Sequence, residues 1–285
     1  MLDAAWASGV RYVDAARSYG RAEEFLASWL ASRGIAPGEL TVGSKWGYRY
    51  TAGWRTRAEV HEVKDHSLAA LREQLAESRR LLGPYLRLYQ IHSATLESGV
   101  LDDPGVLDEL ARLRDGGVLV GLSVSGPRQA ETIARAMGVE RGGRPLFGCV
   151  QATWNVLEPS AGDALAAAHA AGVGVIVKEA LANGRLAGRA DARGDAEANP
   201  YAEAQGTLED EAQRIGARAD ALALAAVLAQ PWADCVLSGA ARVEHVEANL
   251  VALSLDLPAD ILGRLRAFAV PPVDYWAWRA ASVWT

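Results

Sequence analysis

Cysteine is scarce in this chain: two residues in 285, Cys149 and Cys235, with no CxxC or Cys/His cluster around either. That excludes a disulfide framework and a thiolate metal centre, and the apolar strand-like runs around both predict buried, reduced thiols. Dense Lys/Arg stretches interleaved with aromatics are also missing, and 29 basic against 35 acidic residues leave a net charge of -6. Nucleic acid is therefore not an expected partner. The first residues lack a basic segment followed by an apolar one, and the longest helical apolar stretch, Ala221 to Ala229, falls short of the roughly 20 residues of a membrane helix. A cytoplasmic protein that does not cross the membrane is expected.

What is present is an ordinary globular composition, 50% hydrophobic and 22% charged, on a chain long enough for one large α/β domain. Runs rich in β-branched or bulky apolar residues recur at Arg11–Ala15, Leu40–Trp46, Leu86–His92, Val118–Ser125, Phe147–Asn155, Gly172–Glu179 and Asp234–Gly239. Near-continuous hydrophobicity suits parallel strands covered on both faces. Helix-period segments alternate with them, at Ala22–Ser32, Ala58–Leu82, Pro104–Arg114, Pro127–Met137, Ser160–Ala171 and Asp220–Leu228. Strands alternating with helices imply right-handed βαβ units, and the repeat predicts a (β/α)8 TIM barrel over residues 1–285 with seven recognisable strands. The chain opens on a helical segment, Leu2–Ala7, so the barrel is expected to lack its first strand, as an N-terminally truncated chain with a start placed too far downstream would. Small and charged residues over 188–206 predict a mobile loop, and the aromatic tail over 271–285 is expected to fold back over the barrel.

Four residues at or just beyond strand ends carry chemistry: Asp14 and Tyr19 in V-D-A-A-R-S-Y-G, Lys45 in G-S-K-W and His92 in Y-Q-I-H. Alone, each has a plainer reading, as a helix cap, a packed ring, a surface lysine and a satisfied barrel histidine. Together, at the carboxyl-end mouth of a parallel barrel, they form a proton-transfer set. A tyrosine hydroxyl titrates near 10, and an ammonium about 4 Å away at an effective dielectric near 20 supplies about 4 kcal/mol toward its phenolate. Asp14 then holds Lys45 charged, and His92 orients a substrate oxygen.

The order G-V-R-Y-V-D-A-A-R-S-Y-G, G-S-K-W, Y-Q-I-H-S, G-L-S-V-S-G, V-Q-A-T-W-N-V-L-E-P and G-V-G-V-I-V-K-E-A-L-A-N-G-R-L resembles the aldo-keto reductases along nearly the whole chain. The resemblance implies an oxidoreductase that interconverts a carbonyl (aldehyde, ketone or sugar) and an alcohol by hydride transfer, with Tyr19 as general acid and base. It also implies NADP or NAD bound across the mouth, the family's habit favouring NADP; no G-x-G-x-x-G follows a strand. By position, Ser123 and Gln151 would hold the carboxamide. Asn183, Gly184 and Arg185 would meet the pyrophosphate, and Gly239, Arg242, His245 and Asn249 the adenosine end. Val124 stands where the family often has Asn, and Lys178 where an aromatic ring commonly stacks on the nicotinamide, free to pair with Glu179 or a phosphate. Gly239 and His245 replace a common Lys and Arg, with Arg242 left to compensate.

Trp46, Trp54 and Trp154 are expected either as substrate walls or, equally, as core packing, and Trp276 in the tail either shapes the substrate pocket or packs on outer helices. H-E-V-K-D-H over 61–66 spaces its histidines five apart, which does not match a zincin helix, and is read as a solvated helix start with no metal. Two rival readings stand beside the reductase: a Schiff-base aldolase using Lys45 or Lys178, and a non-catalytic nicotinamide-binding or partner-binding member of the family. Substrate identity and oligomeric state are not legible in the sequence.

Overall fold

Strands covered on both faces need no polar side, and all seven apolar runs form strands of one parallel sheet. A computed structural model describes residues 1–53, 61–187 and 201–281. In chain order, helix α1 (Leu2–Ala7) leads to β1 (Tyr12–Asp14), α2 (Ala22–Arg33), β2 (Thr41–Trp46) and a hairpin of β3 (Tyr48–Tyr50) and β4 (Glu62–Lys64). Then come α3 (Leu68–Leu82), β5 (Leu86–Ala94), α4 (Pro104–Asp115), β6 (Leu119–Val124), α5 (Gln129–Met137) and a short hairpin of β7 (Glu140–Arg141) and β8 (Arg144–Pro145). The chain continues through β9 (Cys149–Thr153), α6 (Gly162–Ala170), β10 (Gly174–Lys178) and the turn segment Ala182–Ala187. It closes with α7 (Ala202–Arg214), α8 (Ala219–Leu228), β11 (Cys235–Val236), α9 (Val243–Leu250), α10 (Ala259–Leu265) and α11 (Pro272–Ala281).

The strand order is β1-β2-β5-β6-β9-β10-β11, every neighbour parallel. The sheet curls into a half-barrel. Among the described residues, no strand pairs with the outer edges of β1 and β11. One core fills the space between the sheet and α2 to α6, with Leu30, Val42, Leu71, Ile91, Leu110, Leu122 and Ile133 at or below 1% exposure. A second unites α7, α8, α10 and α11 around Leu208, Leu222, Ile261 and Tyr275. A small third cluster, Leu88, Cys149 and Ile176 with Tyr12 and Cys235 against it, links β1, β5, β9, β10 and β11. Gly43 makes room there: a Cβ at 43 would lie 2.2 Å from the Tyr12 hydroxyl. Both thiols are free; burial pushes Cys149 up to about 12 and Cys235 up to about 11.

Three expectations are corrected. Of the helix expected over Ala58–Leu82, residues 58–60 lie outside the described residues, 61–67 are not helical, and the helix starts at Leu68, where the Ser67 hydroxyl caps it by accepting from Ala70 N at 3.2 Å. Residues of the H-E-V-K-D-H stretch instead form β4, paired antiparallel with β3 from Tyr48↔Lys64 to Tyr50↔Glu62. Gly47 (φ +116°) turns the chain into that hairpin and admits the His66 ring, whose Cδ2 would lie 2.4 Å from a Cβ at 47. Of the loop expected over 188–206, residues 188–200 lie outside the described residues. Residues 202–206 open α7, whose buried Leu208 and Ala212 anchor it to α8. In the aromatic tail, α11 buries Tyr275 and Trp276, while 282–285 lie outside the described residues. Among the described residues, no helix is long and apolar enough to cross a membrane.

Candidate active site

The carboxyl ends of β1, β2 and β5 bring Asp14, Lys45 and His92 together with Tyr19, which follows β1 on a short loop. That loop stays in register with β2, because Ala15 N donates to Gly43 O and Arg17 N to Lys45 O. Lys45 is 1% exposed, which removes the surface reading. Its ammonium pairs with Asp14 and donates to Ala15 O at 3.0 Å. Asp14 Oδ1 also accepts from the Tyr12 hydroxyl at 3.0 Å and from Gln151 Nε2 at 3.1 Å, so the carboxylate is held from across the barrel. Burial disfavours the Lys45 charge, but Asp14 and Tyr19 outweigh it and the lysine titrates above its ordinary value.

Tyr19 keeps 45% of its surface exposed while its hydroxyl hydrogen-bonds Lys45, whose Nζ lies 5.0 Å from the ring centroid. The net direction differs from the sequence expectation. Desolvation pushes the phenol up, Lys45 pulls it down, Asp14 and Glu62 push it up again, and the sum is upward. Burial, with Asp14 offsetting part of the Lys45 field, keeps the phenol protonated. His92 is 8% exposed and titrates well below its ordinary value, because burial and the charges of Lys45 and Lys178 exclude its cation. It is therefore a neutral imidazole. Its Nδ1 lies 3.4 Å from Ser18 Oγ, and its ring meets Tyr19 and Tyr48 edge-on at 5.6 and 4.9 Å.

The β3–β4 hairpin beside the mouth carries groups that sequence reasoning missed. Tyr48 packs on His92 and hydrogen-bonds Ser93, while Glu62 hydrogen-bonds Ser18 and is pushed up by burial. His66 bonds the His92 carbonyl through Nε2 at 2.9 Å, and its own titration is depressed to about 4 by burial. Only the short alternation Y-R-Y against E-V-K could have signalled this hairpin.

The neighbouring strands supply hydroxyl, amide and cation in turn. Register sets Ser123 beside Gln151 and Lys178 beside Thr153. Ser123 Oγ accepts from Ser93 N at 2.8 Å and keeps its own hydrogen to donate. Asn183 (φ 57°) and Gly184 (φ 91°) are both left-handed, and the Arg185 guanidinium stacks 3.2 Å over the Trp278 ring. Beyond β11, Gly239 is left-handed (φ 62°), Arg242 stands at the N-cap position just before α9, and His245 lies within the helix. Asn249 Nδ2 donates to Ser238 O at 3.0 Å and Ser238 Oγ at 2.8 Å, so its amide is already engaged in holding the strand-end loop.

Of the expected aromatic walls, Trp46 is 0% exposed and packs on His66, and Trp154 packs on Trp232 with centroids 5.5 Å apart. Trp154 lines a recess with Leu262, Leu265 and Arg266, toward the outer helices and away from the four catalytic candidates. Among the described members of this set, only Trp276 sits with charged groups of the mouth, 5.6 Å from Lys178 Nζ and 5.3 Å from the Arg279 guanidinium. Trp54 lies outside the described residues. Among the described residues, no group of three or more His, Cys, Asp or Glu could hold a metal.

A model of the Aldo/keto reductase family matches residues 1–269, and the chain belongs to that family. Aldo-keto reductase ausK of Emericella nidulans is 25% identical over 276 residues, covering 90% of this chain and 68% of its own. Protein tas of Escherichia coli is 25% identical over 307 residues, covering 93% of this chain and 87% of its own. Among solved structures, the holo form of aldo-keto reductase AKR11C1 from Bacillus halodurans has a TM-score of 0.74 at 23% identity, covering 95% of this chain and 87% of its own. Glycerol dehydrogenase AKR11B4 from Gluconobacter oxydans has a TM-score of 0.71 at 22% identity, covering 95% and 85%. The fold is theirs, and family membership supports nicotinamide-dependent carbonyl reduction in general.

Proposed function

We propose that this chain interconverts a carbonyl compound and its alcohol with NADP or NAD, with Tyr19 as the general acid and base. The observation that carries the reading is the buried Lys45 ammonium held between the Asp14 carboxylate and the Tyr19 hydroxyl, beneath a neutral His92. The donor set suits a nicotinamide dinucleotide. Ser123 and Gln151, adjacent by register, offer a hydroxyl and an amide for a carboxamide, and Arg185 and Arg242 offer cations for phosphates. When bound, that group supplies or takes the hydride at the carbonyl carbon.

The remaining steps belong to the chain. In reduction the carbonyl oxygen, gaining an electron pair as the carbon accepts hydride, takes the Tyr19 proton. The phenolate left behind faces the Lys45 ammonium, and Asp14 keeps that ammonium charged. Among the described residues, His92 Nε2 has no hydrogen-bond partner, which leaves it to donate to the carbonyl oxygen. The raised Tyr19 pKa holds the phenol in the proton-donating form. The same ion pair argues against Lys45 as a Schiff-base nucleophile, which requires a free amine.

Tyr19→Phe tests the assignment. Turnover of aldehydes with NADPH or NADH should fall at least about 10³-fold, while cofactor binding, read by quenching of tryptophan fluorescence, persists. Near wild-type turnover in this variant would overturn it.

A further inference from the structure

Beside the proton-transfer set, the mouth holds a second charged cluster whose charges do not balance. Lys178 ends β10 with its side chain 15% exposed, and Nζ donates to Thr153 Oγ1 at 2.8 Å. The nearest carboxylate, Glu179, lies 3.6 Å away. It is already held in a fork by Arg279 of α11, whose Nε lies 3.0 and 2.9 Å from its two oxygens, and it bonds the Thr153 hydroxyl. Asp14 is likewise committed to Lys45. Among these five described groups, two pairs are closed and one cation remains over.

We propose that Lys178 is the anion-binding residue of the substrate pocket and that the carbonyl compound this enzyme takes carries a carboxylate. The inference deepens the carbonyl-reductase reading and rests on it. A desolvated ammonium that, among the described residues, shares one carboxylate with an arginine is costly until an anion arrives, and a fixed cation rewards a charged ligand more than a neutral one. The surplus is a single charge, which matches a carboxylate rather than a dianionic phosphate. The Trp276 ring, 5.6 Å from Nζ, shields the ammonium from water on one side. Trp276 is held there by the Arg279–Glu179 fork and by Asn155 Nδ2, which donates to the Tyr275 hydroxyl at 3.1 Å. The charge of Lys178 is felt at His92 and that of Lys45 at Lys178, so an anion seated on Lys178 lies within electrostatic reach of the proton-transfer groups.

The test compares 4-carboxybenzaldehyde with 4-methylbenzaldehyde in the full chain with saturating NADPH. Wild type should favour the carboxylated aldehyde at least tenfold in kcat/KM. Lys178→Met should cut that ratio at least tenfold, mainly through KM, and Lys178→Arg should keep most of it. Equal kcat/KM for the two aldehydes in wild type would overturn the proposal. So would a Lys178→Met variant that keeps the ratio and raises only the KM for NADPH, which would assign Lys178 to a cofactor phosphate. Borohydride trapping of 4-carboxybenzaldehyde on Lys178, seen by peptide mass, would overturn it in favour of a Schiff base. If neither aldehyde is reduced with NADPH or NADH, the reductase reading fails by itself. Calorimetric titration with benzoate then decides Lys178: binding lost in Lys178→Met supports it, and no wild-type binding overturns it.

Discussion

On one side of the mouth, Lys45 meets Asp14 across 31 residues of chain; on the other, Arg279 meets Glu179 across 100. The first pair joins neighbouring strands of one sheet, β1 and β2, so forming the sheet forms the pair. The second needs a helix from the far end of the chain to dock on the turn after β10. The charge arithmetic differs as well. Asp14 and Lys45 cancel, leaving a neutral support for the tyrosine proposed to give up and recover a proton. The β10–α11 side keeps one cation in excess, as a surface that selects a ligand does. Burial therefore does not separate a support from a recognition element here; the completeness of the ion pairing does.

The sharpest way to break this contrast is Lys45→Met. If the β1–β2 pair supports the proton donor, turnover should fall by at least about 10³-fold, and losing one partner of a buried pair should cost about 3 kcal/mol of stability. Stopped-flow reduction and urea denaturation read the two effects, and turnover within tenfold of wild type would erase the distinction. Arg279→Met should act more gently. Glu179, released from its fork, can turn fully to Lys178 and cancel the excess charge, so the preference for a carboxylated aldehyde should shrink about tenfold while stability drops by about 1–3 kcal/mol. An unchanged preference would mean the two sides do not differ in charge balance.

The smallest effect concerns pH and the hairpin beside the first pair. An unfolded His66 takes its proton near 6.5 and the folded one only near 4. Between those values the unfolded chain binds the additional proton, so stability falls as pH falls through that window and is unaffected by this group above it. His66→Gln should flatten the slope of unfolding free energy between pH 6.5 and 4, measured by urea melts at half-unit steps. An unaltered slope would show that desolvation at the hairpin does not govern this titration.

Much of the first region was legible from residues alone. Asp14, Tyr19, Lys45 and His92 stand at or just after strand ends, and strand ends of a parallel barrel are one mouth, so the apolar runs bring the four proposed catalytic groups together. The β3–β4 hairpin was hidden because H-E-V-K-D-H carries a helix-compatible pattern that pairing with Y-R-Y and the Gly47 turn override. Trp46 and Trp154 stood near strand ends too, yet the same logic misplaced them: it gives a residue's level in the barrel but not the direction in which its ring packs. The raised Tyr19 pKa was missed because pairwise attraction to Lys45 was counted without the desolvation and the Asp14 charge acting on the same oxygen.

By itself, the sequence determined the seven strands, their parallel order and the four groups at their ends, because hydrophobic runs and strand alternation are local properties that pairing then reads out. Only the tertiary structure decided which charges cancel. Glu179 is neutralised by Arg279 and Tyr275 is bonded by Asn155 across 100 and 120 residues of chain, and such pairings depend on where α11 docks rather than on any pattern within reach of a motif.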